Sequence, residues 1–357
     1  MTLNCGLPVC LRQAKRRRAN PMGGKLPPVV AAARKALSTA TEPGEFVLVA
    51  CSGGADSLAL AAAAAFLNRK KSLRVGAVII DHQMQQDSHV VANRAAEQCT
   101  DLGLEPVLVL QVEVANDSEE SARNARYAAF EQALVMSGAT RILLGHTLDD
   151  QAEQVLLGLA RGSGTLSLAG MPAVRGPYLR PFLSLDRTAI EQICVHEAID
   201  YWVDPTNAAP KYLRNKIRNQ LMPVLKDVLG TTIPTSLART AILARRDAEY
   251  LDQLAATQLA LLEKFTDPTT LVLSIPALRE LPDAVRGRVL RAAVSKLGAP
   301  SPNFERLEAL ETLLFGSKSA GPIQMDGNVQ VFRIPKNRSI RGSVAMLKLT
   351  KNASTRA

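Results

Sequence analysis

Six residues, SGGADS from Ser52 to Ser57, have the types and order of an anion-binding turn. Gly53 and Gly54 can take positive φ and let an anion approach the main chain closely. Asp56 and Ser57 can cap the start of a following helix, whose first N–H groups would then face the anion. No lysine follows the glycines, so this is not the GxxxxGK[ST] phosphate loop, which occurs nowhere in the chain. On these six residues alone, a phosphate cradle and an ordinary Ser/Gly turn both remain open.

A second cluster lies in GHTLDDQAEQ, Gly145 to Gln154. His146 directly follows an apolar run, and Asp149, Asp150 and Glu153 begin the next helical pattern. Asp150 and Glu153 are three apart and can share a helix face toward the SGGADS turn. Two carboxylates beside phosphate oxygens suit Mg²⁺. Asp149 is equally explained as an acidic residue favoured by the helix dipole, and His146 taken singly reads as a structural histidine. SARNARY, Ser121 to Tyr127, places Arg123 and Arg126 three apart on one helix. They could offset charge at a phosphorus centre or grip nucleic acid, or line a solvated face.

These groups need a scaffold that gathers them, and the alternation of elements supplies one. Glu45–Cys51, Arg74–Asp81, Pro106–Val112 and Arg141–Gly145 read as buried strands. Val29–Leu37, Leu58–Leu67, Ser88–Leu102, Ser118–Met136 and Asp149–Ala160 read as helices, with Ser118 as a candidate cap. Four strand–helix alternations predict a parallel sheet with right-handed crossovers. Ligands of such sheets lie beyond the carboxyl ends of the strands. SGGADS, Asp81-His82 and Gly145-His146 all fall there. After Arg161 the alternation stops. Helices are expected over Leu185–Ala198, Tyr212–Leu229 despite Pro223, Pro234–Phe265, Val285–Leu297 and Phe304–Leu314. Pro322–Leu349 reads as β-structure with a turn at Asp326-Gly327-Asn328.

Composition bounds the class. The 357 residues carry a net charge of +10. Residues 1–45 contribute +6 and residues 331–357 contribute +7, which leaves −3 for the rest. Positive ends on a near-neutral body suggest a polyanionic partner, or else solvated tails. The five cysteines are scattered without a CxxC pair, which argues against zinc, an iron–sulfur cluster or a disulfide framework and fits a reducing cytoplasm. No apolar run approaches the ~20 residues needed to span a bilayer. Residues 1–21, ahead of Met22, are expected to be dispensable.

The combination resembles a known family. SGGADS is similar to the signature of PP-loop, or N-type, ATP pyrophosphatases. DHQMQQDS, ARNARY, LGHTLDDQAEQVLLGLARGSG, Leu179-Arg180-Pro181 and YWVDPTN…YLRNKIRNQLMPVL, in this order over about residues 46–225, resemble tRNA(Ile)-lysidine synthetases. The resemblance implies an α/β fold with a Rossmann-like parallel sheet, helices on both faces, a mainly helical substrate-binding domain and a short β-rich C-terminus. It implies a basic extension and lead helix over 1–45, a catalytic domain over 46–230, a helical tRNA-binding domain over 231–331 and a basic tail over 332–357.

It further implies that ATP adenylates the C2 oxygen of the wobble cytidine of tRNA(Ile) with a CAU anticodon, releasing pyrophosphate. L-lysine then displaces AMP through its side-chain amine. Ser52, Gly53, Gly54, Ala55, Asp56 and Ser57 would bind ATP, and Asp56 with Asp150 would hold Mg²⁺. Arg123 or Arg126 would offset charge on the α-phosphate. Glu153 and His146 would orient the amine or take its proton. Lys211, Arg214, Lys216 and Arg218 would contact tRNA. Family members are often dimers, so a homodimer is compatible, as is a cytoplasmic location. Two departures stand out: Met84-Gln85 replaces a usual Leu-Arg, and Gln154 replaces a usual Thr. A PP-loop tRNA 2-thiolase is the nearest rival, but such enzymes generally use cysteine pairs that this chain lacks.

Overall fold

The apolar run before the glycine turn becomes an inner strand of a parallel sheet. The structure is a computed structural model that describes residues 26–83, 88–112, 118–162, 164–204, 212–316, 320–337 and 339–352. Its elements begin α1 (Pro28–Ala40), β1 (Phe46–Ala50), α2 (Ala55–Arg69), β2 (Arg74–Asp81), α3 (Ser88–Asp101), β3 (Val107–Gln111) and α4 (Glu119–Ser137). They continue with β4 (Arg141–Leu143), α5 (Leu148–Arg161), the short α6 (Thr165–Leu168), β5 (Val174–Arg175), β6 (Tyr178–Leu179) and α7 (Arg187–His196). The sheet order is β3-β2-β1-β4-β6-β5, parallel except for the antiparallel edge strand β5.

Side-chain alternation divides the core as a period of two requires. Val47, Val49, Val75, Ala77 and Ile79 face a layer containing α1, α2 and α7. Leu48, Val78, Ile142 and Leu144 face Phe130 and Ala133 of α4. The alanine run of α2 is buried on every side, with Ala59 to Ala65 at most 5% exposed. Alanine favours the helix, and its small side chain lets that helix be enclosed between the sheet and its two neighbours. Ser118 caps α4 as expected, accepting from the Ser121 N–H at 3.1 Å.

The helix expected over Tyr212–Leu229 is interrupted. It comprises α8 (Leu213–Lys216), a π turn (Ile217–Leu221) and α9 (Met222–Leu229). Pro223 lies at the start of α9, where its missing N–H is tolerated just after the widened turn.

The chain divides into two compact units, one formed by residues up to Ala160 with Gly170–Ala241, the other by Arg161–Ala169 with residues from Ile242 on. The expected boundary at 230/231 therefore moves to 241/242, inside α10 (Ile233–Leu262). The second unit contains β7 (Glu263–Asp267), β8 (Thr270–Ser274), α11 (Ile275–Glu280), α12 (Asp283–Lys296), α13 (Phe304–Phe315), β9 (Ala320–Met325), β10 (Val329–Ile334) and β11 (Met346–Lys351). Its antiparallel sheet has the order β7-β8-β11-β10-β9. Leu271, Leu273, Val331, Leu347 and Leu349 point into one core with α12 and α13.

Two readings change here. The helix expected to reach Phe265 stops at Leu262, because Asp267 accepts from the Thr269 N–H and hydroxyl and turns the chain into a hairpin. The basic tail expected from residue 332 begins inside β10 and includes all of β11. Residues 1–21 and 353–357 lie outside the described residues.

Arg333, one of the basic residues of that segment, is buried. Its guanidinium donates to the carbonyls of Leu313 and Leu314 at 2.9 and 3.1 Å, closing the negative end of α13. Arg333→Met is expected to destabilise the protein by about 2 kcal/mol, since hydrogen bonds from a charged group are lost in a buried site. Lys336→Met, at an exposed position, should stay within about 0.5 kcal/mol. Urea denaturation of both variants checks the contrast.

Candidate active site

The glycine turn joins β1 to α2 at the carboxyl edge of the sheet. Gly53 has φ +79°, and a Cβ there would meet Ala95 of α3 at 3.4 Å. The helix cap is Gly54, so Asp56 and Ser57 lie within the first turn and do not cap it as expected. Ser57 instead folds the loop: its hydroxyl accepts from the Ser52 N–H at 3.2 Å and donates to the Gly54 carbonyl at 3.0 Å. The first intrahelical bond runs from the Leu58 N–H to that same carbonyl. The amides of Ala55, Asp56 and Ser57 precede it and have no intrahelical acceptor. The Gly53 carbonyl accepts from the Trp202 N–H at 2.9 Å, which ties the chain after α7 to the turn.

The end of β4 presses against this turn. A Cβ on Gly145 would lie 3.0 Å from the backbone carbon and oxygen of Asp56 and 3.2 Å from the Ser57 nitrogen. A side chain there would require the turn to give by a few tenths of an ångström, so glycine lets the start of α5 come close to the loop. Burial, reinforced by the charge of Asp150, pushes the Asp56 carboxyl up to about 6. Among the described residues, no hydrogen bond or ion pair holds this carboxylate.

Asp150 is the opposite case. Burial favours its neutral form, but Arg214, His146, Arg218 and the Thr147 N–H outweigh that and hold it below the usual carboxylate range. One oxygen accepts from the Thr147 N–H at 2.8 Å and its hydroxyl at 3.1 Å. The other accepts from Arg214 at 2.9 Å and Arg218 at 2.8 Å. Glu153, 2% exposed, accepts from Arg214 at 2.9 Å and from Arg218 at 2.6 and 3.0 Å. The pair three apart on α5 is thus clamped by a pair four apart on α8 and the π turn. Arg214 and Arg218, expected to meet tRNA phosphates, spend these N–H groups on buried carboxylates that demand them. Lys216 is exposed on α8, and Lys211 lies outside the described residues.

His146 sits where β4 ends. Burial and the nearby charges of Arg180, Arg214 and Arg123 lower it to about 4 against the pull of Asp150, and among the described residues its Nδ1 has no partner. It is neutral at neutral pH. Arg123 and Arg126, three apart on α4, make different contacts. Arg123 lies over the Tyr127 ring at 5.1 Å and acts on His146. Arg126 donates from Nε to His82 Nε2 at 3.3 Å, at the end of β2. That bond requires an unprotonated Nε2, in keeping with burial and Arg126 lowering His82 to about 4. Asp149 has a structural role, accepting from the Arg187 N–H at 2.8 Å at the start of α7.

Sequence reasoning missed Thr147, which orients Asp150, and Arg180, which is 3% exposed at the end of β6. An Arg-Pro pair directly after a short strand, at the ligand edge of the sheet, was the available signal. No group of three or more His, Cys, Asp or Glu that could hold a metal exists among the described residues. A carboxylate raised by burial, without a hydrogen-bonding partner and beside a second acid, does fit a cation that takes its other ligands from phosphate oxygens. Met84-Gln85 lies outside the described residues.

The chain is similar to known proteins. Residues 29–225 match the family described as a PP-loop domain, and residues 273–333 match the TilS substrate binding domain. The tRNA(Ile)-lysidine synthase of Streptomyces coelicolor is 44% identical over 290 residues, covering 79% of this chain and 81% of that protein. The enzyme of the same name from Leifsonia xyli is 44% identical over 293 residues (82% and 88%), and that from Thermobifida fusca 42% over 308 (84% and 94%). The solved structure of the U34-tRNA thiolase NcsA from Methanococcus maripaludis has a TM-score of 0.48 and 16% identity over 60% of this chain and 77% of that one.

Removing Glu153 should expose the cost of the clamp. Glu153→Ala leaves two guanidinium groups sharing one carboxylate and is expected to destabilise the protein by about 3 kcal/mol, measured by urea denaturation. Gly145→Ala should instead raise the KM for ATP at least tenfold by displacing the turn; an unchanged KM would refute the close approach as a binding requirement.

Proposed function

The chain belongs to the tRNA(Ile)-lysidine synthase family, and from that premise we propose how its residues join lysine to the wobble cytidine of tRNA(Ile) with a CAU anticodon. The protein uses ATP through its PP-loop domain and takes a tRNA as substrate. In the proposed course, the C2 oxygen of the cytidine attacks the α-phosphorus of ATP and pyrophosphate leaves. The lysine side-chain amine, once its ammonium has given up a proton to solvent, then attacks C2; the C2–O bond breaks and AMP leaves with the bond electrons.

The observation that carries this reading is the Asp56 carboxylate at the glycine turn, raised by burial and, among the described residues, lacking a hydrogen-bonding partner. Backbone amides at the start of α2 hold the departing diphosphate, with the helix dipole behind them. Asp56, with Asp150 beside it, would hold Mg²⁺, which offsets phosphate charge when bound. Arg123 or Arg126 offers positive charge to the α-phosphate from α4. His146 is too weak a base, at about 4, to strip a lysine ammonium of ordinary pKa near 10. Its part is to orient the amine by accepting a hydrogen bond. Glu153 supports the amine side through its fixed arginine pair. Lys211 and Lys216 contact tRNA phosphates, making binding strongly salt-dependent. A loop nucleotide reaches the site at a cost of only a few kcal/mol. The cytoplasm, where ATP and tRNA meet, is the proposed location.

The test is incubation of the full chain with ATP, radiolabelled lysine and the tRNA transcript. Lysine should appear in the tRNA with AMP and pyrophosphate in equal amounts, and nucleotide binding without transfer would overturn the reading. Asp56→Asn should cut pyrophosphate release at least 100-fold. In the native protein, release should fall as pH drops through about 6, where Asp56 takes up a proton. Added Mg²⁺ should move that limb to lower pH, because metal and proton compete for one carboxylate.

A further inference from the structure

Among the described residues, Arg180 is a buried cation without an anion. The Leu144 N–H donates to the Leu179 carbonyl at 2.8 Å, which sets Arg180 beside the end of β4, next to Gly145 and His146. Its Nη1 donates to the Pro172 carbonyl at 2.9 Å and its Nη2 to the Tyr127 hydroxyl at 3.3 Å. Its Nε has no partner. Both acceptors are neutral.

Other arginines of this chain are satisfied differently. Arg214 and Arg218 have Asp150 and Glu153, Arg286 has Asp283 and Glu311, and Arg333 has the negative end of a helix. A guanidinium cannot escape burial by losing its proton at any ordinary pH, and buried charges are normally paired. Around Arg180 the neighbouring arginines, Arg123 and Arg175, add positive charge. Tyr127 fixes the guanidinium from one side and carries Arg123 over its ring.

We propose that Arg180 binds the α-carboxylate of the incoming lysine and so selects the amino acid by its unreactive end. The inference rests on the reading above that lysine is the nucleophile. Strand order favours carboxylate over phosphate. β6 lies two strands from β1, about 10 Å at the usual strand spacing, and the diphosphate cradle belongs to β1. The strand between them, β4, leads through Leu144 and Gly145 to His146. A lysine held by its carboxylate on Arg180 would lay its amine across that strand end toward His146 and Glu153. The planar guanidinium suits a carboxylate, which it can grip through two parallel N–H groups.

The experiment compares L-lysine with cadaverine, which is lysine without its carboxylate, in the native enzyme and in Arg180→Gln and Arg180→Lys. Amine transfer to tRNA is read by mass of the modified nucleoside, and pyrophosphate release is read separately without amine. The native enzyme should prefer lysine by about 50-fold in kcat/KM, the scale of hydrogen bonds to a charged group. Arg180→Gln should lose about that factor with lysine, mainly in KM, yet match the native enzyme with cadaverine and in amine-independent pyrophosphate release. Arg180→Lys, which keeps the charge, should fall between. Equal losses with both amines would mean a merely structural arginine, and loss of pyrophosphate release without amine would mean a phosphate ligand; either overturns the proposal. So does a native enzyme that uses both amines equally well, without any variant having to fold. A native enzyme that transfers neither defeats the lysidine reading itself, and this inference with it.

Discussion

The site depends on a clamp of four charges. Asp150 and Glu153 leave α5 three residues apart and are buried, and Arg214 and Arg218 meet them from α8 and the π turn. Burying two carboxylates is expensive unless each is paired and its lone pairs are filled. Here the forks of two guanidinium groups, with the Thr147 N–H and hydroxyl, fill most of them. Residues 214 and 218, four apart, address the same pair from one helix face. A widened turn of this kind costs helical regularity, and such turns recur at functional sites.

The clamp also sets the electrostatics next door. Asp150 is held ionised by its arginines, while Asp56, close enough to feel Asp150, is pushed the other way. Two carboxylates with protonation pushed apart take different roles. One is a fixed charge that belongs to the framework. The other is reactive toward a cation and toward pH. His146, on the positive side of the same neighbourhood, stays neutral and can accept a hydrogen bond. Positive charge then continues outward through Arg123 and Arg180, so the floor runs from an acid-rich side under the glycine turn to a cation-rich side at β6.

Much of the first unit was legible before any coordinates. Short β-branched runs alternate with helical patterns, and each transition falls at a residue that can bind something. Parallel strands place all such transitions on one edge, so the convergence of Ser52–Ser57, His82 and His146 follows from topology alone. The second unit was less legible. Residues 263–274 form a hairpin whose first strand continues the composition of α10, and the Asx turn at Asp267 that breaks it looks unremarkable in isolation.

By itself the sequence determined which local structures form, the handedness and edge of the sheet, and the set of groups available there. These follow from propensity, periodicity and steric rules that act over a few residues. Only the tertiary structure decided how the charges pair. Arg214 and Arg218 look like phosphate contacts on a basic helix, yet carboxylates more than sixty residues earlier claim them. Arg180 looks like one residue of a turn, yet among the described residues no carboxylate reaches it. Charge pairing is set by distance and burial between segments remote in the chain, and neither quantity is written in the local order of residues.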